Sequence, residues 1–131
     1  MTLRKGSLGA GFANEGQIFE TVYDFTVDGG VAGDFTMTAG ASEDIMVKLH
    51  AIKVNTAITS AGAATVTVKT SDTDEAFLAA EAKGTFTVGA VVLPDTAGFV
   101  KVAADATLQM EIEDAAATAG KLTFVWEVRN F

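Results

Sequence analysis

The feature that most limits what this chain can fold into is a period-two alternation of apolar residues. Leu122, Phe124, Trp126 and Val128 alternate with Lys121, Thr123, Glu127 and Arg129, with Val125 as an apolar exception. Leu108, Met110 and Ile112 alternate with Gln109, Glu111 and Glu113. Near the start, Phe19, Thr21, Tyr23, Phe25 and Val27 share one parity against Glu20, Asp24 and Thr26. Successive side chains of a strand point to opposite faces, so each segment reads as a strand buried on one side.

The same reading extends along the chain. Ala64, Val66 and Val68 alternate with Thr65, Thr67 and Lys69. Ile45, Val47 and Leu49 share a parity that Ile52 and Val54 do not, so a β-bulge or bend is expected near His50 and Ala51. Phe35 and Met37 mark a short strand. Thr85 to Val88, Val91 to Leu93 and Phe99 to Val102 mark others. Asp28-Gly29-Gly30 reads as a turn, Gly40 to Asp44 as an acidic loop and Ala57 to Gly62 as a loop. Ser71 and Asp74 have capping-box spacing before Phe77, Leu78 and Ala82, which predicts a short helix or a structured loop over Ser71 to Ala82. The strands on either side of Asp114 to Gly120 read as a hairpin.

About eight short strands joined by turns predict an all-β fold, a β-sandwich of jelly-roll type with one short helix as an option. Phe19, Tyr23, Phe25, Val47, Leu49, Val66, Val68, Leu108, Met110, Ile112, Leu122, Phe124 and Trp126 are the expected core. The sandwich is expected over residues 17–131, behind an N-terminal segment, residues 1–16, of different character. That segment has little periodicity and reads as an extended arm or a tail. Leu3, Leu8 and Phe12, set among glycines, and the basic pair Arg4 and Lys5 are its candidate partner-binding residues.

Charge and composition narrow the function. The chain has 131 residues and no cysteine, so disulfides, thiolate zinc sites and cysteine nucleophiles do not arise. Net charge is −8, from 17 acidic and 9 basic residues. Without Arg4 and Lys5 the remainder has 7 basic residues against 17 acidic, a balance of −10. Such a body repels phosphate backbones, so no nucleic-acid partner is expected. No apolar run approaches a membrane span and the start lacks an apolar signal region, so a soluble protein without a membrane partner is expected.

Catalytic patterns are hard to assemble. A Ser-His-Asp arrangement would have to use His50, the one histidine, on the strand face opposite Val47 and Leu49. Acidic pairs occur at Asp28 and Asp34, Glu43 and Asp44, and Asp72, Asp74 and Glu75. A glycosidase needs facing carboxylates and aromatic platforms, and the chain has one Trp and one Tyr. Asp72-Thr73-Asp74 begins like a calcium loop but lacks its glycine and terminal glutamate; helix N-terminal acids explain Asp72, Asp74 and Glu75 without any metal. Gly6-Ser7-Leu8-Gly9-Ala10-Gly11 lacks the lysine of a phosphate-binding loop. No enzyme activity, metal or cofactor is expected.

Three segments carry a family resemblance: Tyr23-Asp24-Phe25-Thr26-Val27-Asp28-Gly29-Gly30, Thr59 to Val68, and Ala115 to Trp126 with Thr118-Ala119-Gly120-Lys121-Leu122-Thr123-Phe124 at its centre. Together they resemble the head-decoration, or capsid cement, proteins of tailed bacteriophages over about Gln17 to Val128. The resemblance implies a virion protein on the outer surface of the capsid, made in the host cytoplasm. It implies major capsid protein as partner, self-association as a homotrimer, and no catalytic residue. The small uncharged residues of Ala57 to Ala63 and Ala115 to Ala119 suit close approach between copies. The alternative is a carbohydrate- or receptor-binding module of a phage head fibre or tail.

Overall fold

The computed structural model describes residues 17–130. Strand β1 runs Gln17–Asp24 and is followed by a one-turn helix, α1, at Phe25–Asp28. Then come β2 Gly33–Thr36, β3 Ile45–Thr59, β4 Thr65–Thr70 and β5 Leu78–Ala82. A 3₁₀ turn at Lys83–Thr85 leads to β6 Val91–Val92, β7 Val100–Val102, β8 Leu108–Glu113 and β9 Ala119–Asn130. The arm residues Leu3, Arg4, Lys5, Leu8 and Phe12 lie outside the described residues.

The strands form two antiparallel sheets. One has the order β1-β9-β3-β6, with β7 also pairing with β3; the other has β2-β8-β4-β5. Leaving aside the three-residue β7, the chain crosses between the sheets at nearly every step, and β4 to β5 is the only step that stays within one. That is the strand order of a jelly roll, the architecture expected from the alternation. Among the described residues there are nine strands against the expected eight or so, because β6 and β7 sit end to end along one side of β3.

The inward parities meet in one core. Phe19, Trp126 and Leu49 lie side by side on β1, β9 and β3. Phe19 and Phe124 stack on Trp126 with ring centroids 6.3 and 6.2 Å away, and Phe77 meets it edge-on at 5.2 Å. The parity slip is real: the β3–β9 register shifts between Leu49 and Ala51, and His50 is the residue the bulge turns outward. All the expected core residues are buried except Phe25, which only packs against the core's margin.

Five local expectations are corrected. Phe25 and Val27 do not continue β1. Asp24 caps a helical turn by accepting from the Thr26 N–H, the chain turns away, and Val27 stands 76% exposed. The short helix is therefore here; over Ser71 to Ala82 the alternative reading, a structured loop, holds for residues 71–77, and β5 follows it. Ser71 Oγ instead accepts from the Thr107 N–H of a neighbouring loop, and Leu78–Ala82 pairs with β4. A tertiary bond has taken the capping group, so Asp72, Asp74 and Glu75 sit at no helix N-terminus. The strands flanking Asp114 to Gly120 are no hairpin. They belong to opposite sheets, because a short link suits a crossing between layers as well as a reversal within one. Ala57 to Thr59 extend β3 rather than opening a loop, and Thr85 to Val88 form turns rather than a strand.

Candidate interaction surfaces

The jelly roll gathers its loops at two ends with different chemistry. Gln17 lies beside Val128, which also faces Val47 near the start of β3. At that end the loops 38–44, 71–77 and 103–107 are tied together. Asp44 accepts from the Ala104 N–H at 2.9 Å, the Asp105 N–H donates to Ala41 O at 2.8 Å, and the Ser71 N–H donates to Thr107 O at 2.9 Å. These loops carry Glu43, Asp44, Asp72, Asp74, Glu75 and Asp105, with no Lys or Arg. The Ala104 N–H, and then Lys101, hold the Asp44 carboxyl below its ordinary value.

The acidic pairs seen in the sequence do not converge on a reacting centre. Asp28 accepts from the Asp24 N–H, whereas Asp34 pairs with Lys69 at 3.0 Å on the other sheet. Asp72 accepts from the Thr70 hydroxyl at 2.7 Å, and Asp74 lies 3.9 Å from Lys69. Among the described residues no group of three or more His, Asp or Glu could hold a metal. His50 is half-exposed on the outer face of its sheet, 2.9 Å from Glu127. Glu127 also takes a 3.0 Å bond from Arg129, whose guanidinium lies 5.2 Å from the Phe99 ring. The hydrogen bond from His50 is the main reason the Glu127 carboxyl sits below its ordinary range, with Arg129 adding to it and burial opposing.

The opposite end is nearly uncharged. The loops 25–32, 60–64, 83–90 and 114–118 carry only Asp28, Lys83 and Asp114. The Ala117 N–H donates to Gly30 O at 2.8 Å, the Thr118 N–H to Thr59 O at 2.8 Å, and the Ser60 hydroxyl to Ala116 O at 2.7 Å. Lys83 is spent inside the end, donating to the carbonyls of Ser60 and Gly62. A side chain at Gly30 would run into the Ala117 carbonyl, so only glycine lets these loops close up. The small-residue segments around Ala57 to Ala63 and Ala115 to Ala119, far apart in sequence, thus form one surface. Val27, Val31 and Val88 stand on it 76%, 78% and 71% exposed. The two valines of the 25–32 loop were not legible as surface residues; their flanking glycines were the available sign.

Between the edge strands β1 and β2 the sandwich opens into a groove of about 400 Å³. Tyr23, Phe35, Met37 and Met110 form its apolar floor, and Asp24, Asp28 and Lys121 stand at its rim. Tyr23 and Phe35 meet edge to face at 5.3 Å. The floor's polar atoms are already used: the Tyr23 hydroxyl donates to Gly29 O at 2.7 Å, and Thr21 Oγ1 donates to Met37 Sδ at 3.3 Å. Burial, with Asp28 and Asp24 close by, pushes the Tyr23 pKa up to about 12.

No protein-family profile matches the sequence, and no curated protein matches it. Solved structures do resemble it. One is a chain of the acidic stable capsid structure of Helicobacter pylori bacteriophage KHP30, at TM-score 0.55 and 12% identity, over 86% of this chain and 86% of that one. Another is a chain of the cyanophage Pam1 capsid asymmetric unit, at TM-score 0.60 and 16% identity, over 96% of this chain and 92% of that one. At such identities the likeness is one of fold: this chain has the fold of chains found in two phage capsid structures.

Proposed function

We propose that this chain is a structural virion protein of a bacteriophage head, a decoration or cement protein. In this reading it binds the outside of the capsid as a homotrimer and stabilises contacts between major capsid subunits. The observation that carries the reading is the jelly roll itself, shared over nearly the whole chain with chains of two phage capsid structures. The division of the surface supports it. Copies of a −8 protein repel one another, and the repulsion is least where charge is absent. The end bearing Val27, Val31 and Val88 is where copies meet in this reading, and the acidic end stays in solvent.

The alternative is a carbohydrate- or receptor-binding module of a phage head fibre or tail, and its carbohydrate-binding form needs an aromatic ring on which a sugar can stack. The only Trp and the only Tyr of the chain are both buried, at 0% and 2% exposure. The indole is enclosed and the Tyr23 ring, with its hydroxyl tied to Gly29 O, shows almost none of its surface at the groove floor, so cement is the favoured reading. Quantitative mass spectrometry of purified virions tests it. A copy number comparable with that of the major capsid protein is expected; one comparable with a tail or fibre protein overturns it.

A further inference from the structure

The uncharged end presents two patches rather than one. Its loops follow the strand order of the five-stranded sheet: 25–32 continues β1, 114–118 leads into β9, 60–64 leaves β3, and 83–90 leads into β6. Hydrogen bonds follow the same order, joining Ala117 to Gly30, Thr118 to Thr59 and Ile58 to Phe86. Neighbouring strands lie about 4.8 Å apart, so the first and last of these loops stand roughly 15 Å from each other. Val27 and Val31 are exposed on the first, and Val88 on the last. Each patch also carries one sign of charge. The 25–32 loop holds Asp28 and no cation, the 83–90 loop holds Lys83 and no acid, and Asp114 lies on the loops between them.

We propose that copies of this chain meet head to tail at this end, the 25–32 loop of one copy packing on the 83–90 loop of the next. The inference rests on the reading that copies meet here, and adds which residues face which. The 25–32 loop is held in shape before any contact. The Tyr23 hydroxyl donates to Gly29 O, Asp24 caps the turn, the Gly29 N–H donates to Phe25 O and the Ala117 N–H to Gly30 O. A loop tied at these points keeps its two valines outward, so little ordering is left to be done on contact. Lys83 is equally fixed: the carbonyls of Ser60 and Gly62 hold its ammonium without neutralising it. Charge decides between the two ways of pairing. A two-fold contact sets a patch against itself, which opposes Asp28 to Asp28 or Lys83 to Lys83. The head-to-tail contact brings Asp28 toward Lys83 and packs Val27 and Val31 against Val88. A single chain cannot make this contact with itself, because β9 and β3 keep its own two patches apart. Repeated about an axis, a head-to-tail contact closes a ring, the form a trimer requires.

The absence of cysteine gives a clean test. Val31→Cys and Val88→Cys are prepared separately; both side chains are exposed, so neither change disturbs the core. The two reduced proteins are mixed and oxidised, and the joined peptides are quantified by mass spectrometry. Every disulfide formed is then between chains. The peptide joining positions 31 and 88 should dominate, with 31–31 and 88–88 at trace level. Val27→Cys in place of Val31→Cys should repeat the result. Thr73→Cys, exposed at the acidic end, should join Val88→Cys only at the level of chance collision. Dominance of 31–31 or 88–88 overturns the head-to-tail contact and leaves copies meeting at this end. Joining of 31 to 88 no greater than that of 73 to 88 overturns both.

Discussion

The indole N–H of Trp126 donates a 2.9 Å hydrogen bond to Thr21 Oγ1, and both residues are buried. The pair ties β9 to β1 at the level where Phe19, Phe77 and Phe124 surround the indole. Thr21 is thus a polar residue at a core position for a reason: it accepts from the largest side chain of the interior. Thr21→Val keeps the shape and removes the acceptor. A buried N–H left without a partner costs about 1–3 kcal/mol, so chemical denaturation followed by Trp126 fluorescence should show a loss of that order. Trp126→Ala should cost more, about 3–5 kcal/mol. Unchanged melting of either variant would mean the indole is not where the core needs it.

Tyr23 is the only tyrosine, so its ionisation can be read directly from phenolate absorbance. Its folded pKa stands at about 12 against an ordinary 10.0. The neutral form is the one that donates to Gly29 O. The stability this group contributes is therefore complete below pH 10.0 and is lost as pH rises toward about 12. Lys69 adds in the same direction. Burial alone would lower its pKa, but bonds to Asp34 and Glu111 outweigh that and raise it. Tyr23→Phe should reduce the alkaline loss without abolishing it. A phenolate step at the ordinary value in the folded protein would contradict the buried hydroxyl.

On the acid side the sign reverses. Asp24, held by the Thr26 hydroxyl and N–H, and Asp44 lie below their ordinary 3.8, and Glu127 below its ordinary 4.5. The unfolded chain takes up these protons first. The stabilisation is present above the ordinary values and is lost as pH falls through the lower folded ones. Thermal melting should be nearly flat from neutral pH down to the ordinary carboxylate range and decline below it. Asp44→Asn should flatten part of the decline; an unaltered profile would show that the Ala104 and Lys101 contacts contribute nothing.

The uncharged end makes a prediction about assembly. Val31→Asp introduces a charge on a 78% exposed side chain, so the isolated fold should keep its melting temperature to within about 0.5 kcal/mol of stability. If copies meet here, each meeting then buries like charges, and light scattering should show association lost. Thr73→Asp, a similar change at the acidic end, should leave association intact. Equal behaviour of the two variants would remove this end as the contact.

Much of this fold was legible because strand alternation is a local signal. Leu108-Met110-Ile112 and Leu122-Phe124-Trp126 declare their buried face without reference to anything distant, and the slip at His50 shows as a change of parity. The sequence by itself determined which side chains go inside, that the layers are sheets, and that no cysteine or multi-histidine chemistry is available. Pairing is not local. Nothing within Leu108 to Val128 says that its two strands belong to different sheets, since a short link serves either outcome. Ser71 could have capped a helix, and only the arrival of Thr107 from another loop gave its hydroxyl a different partner. The same holds for surfaces. The alanine- and glycine-rich loops looked like ordinary turns one at a time, and they became one uncharged end because the jelly roll brings four of them together. The groove beside Tyr23 is lined by residues of β1 and β2, which among the described residues are the outer strands of opposite sheets. Side-chain chemistry sets what each segment can bury, and the meeting of segments distant in the chain sets what is left exposed.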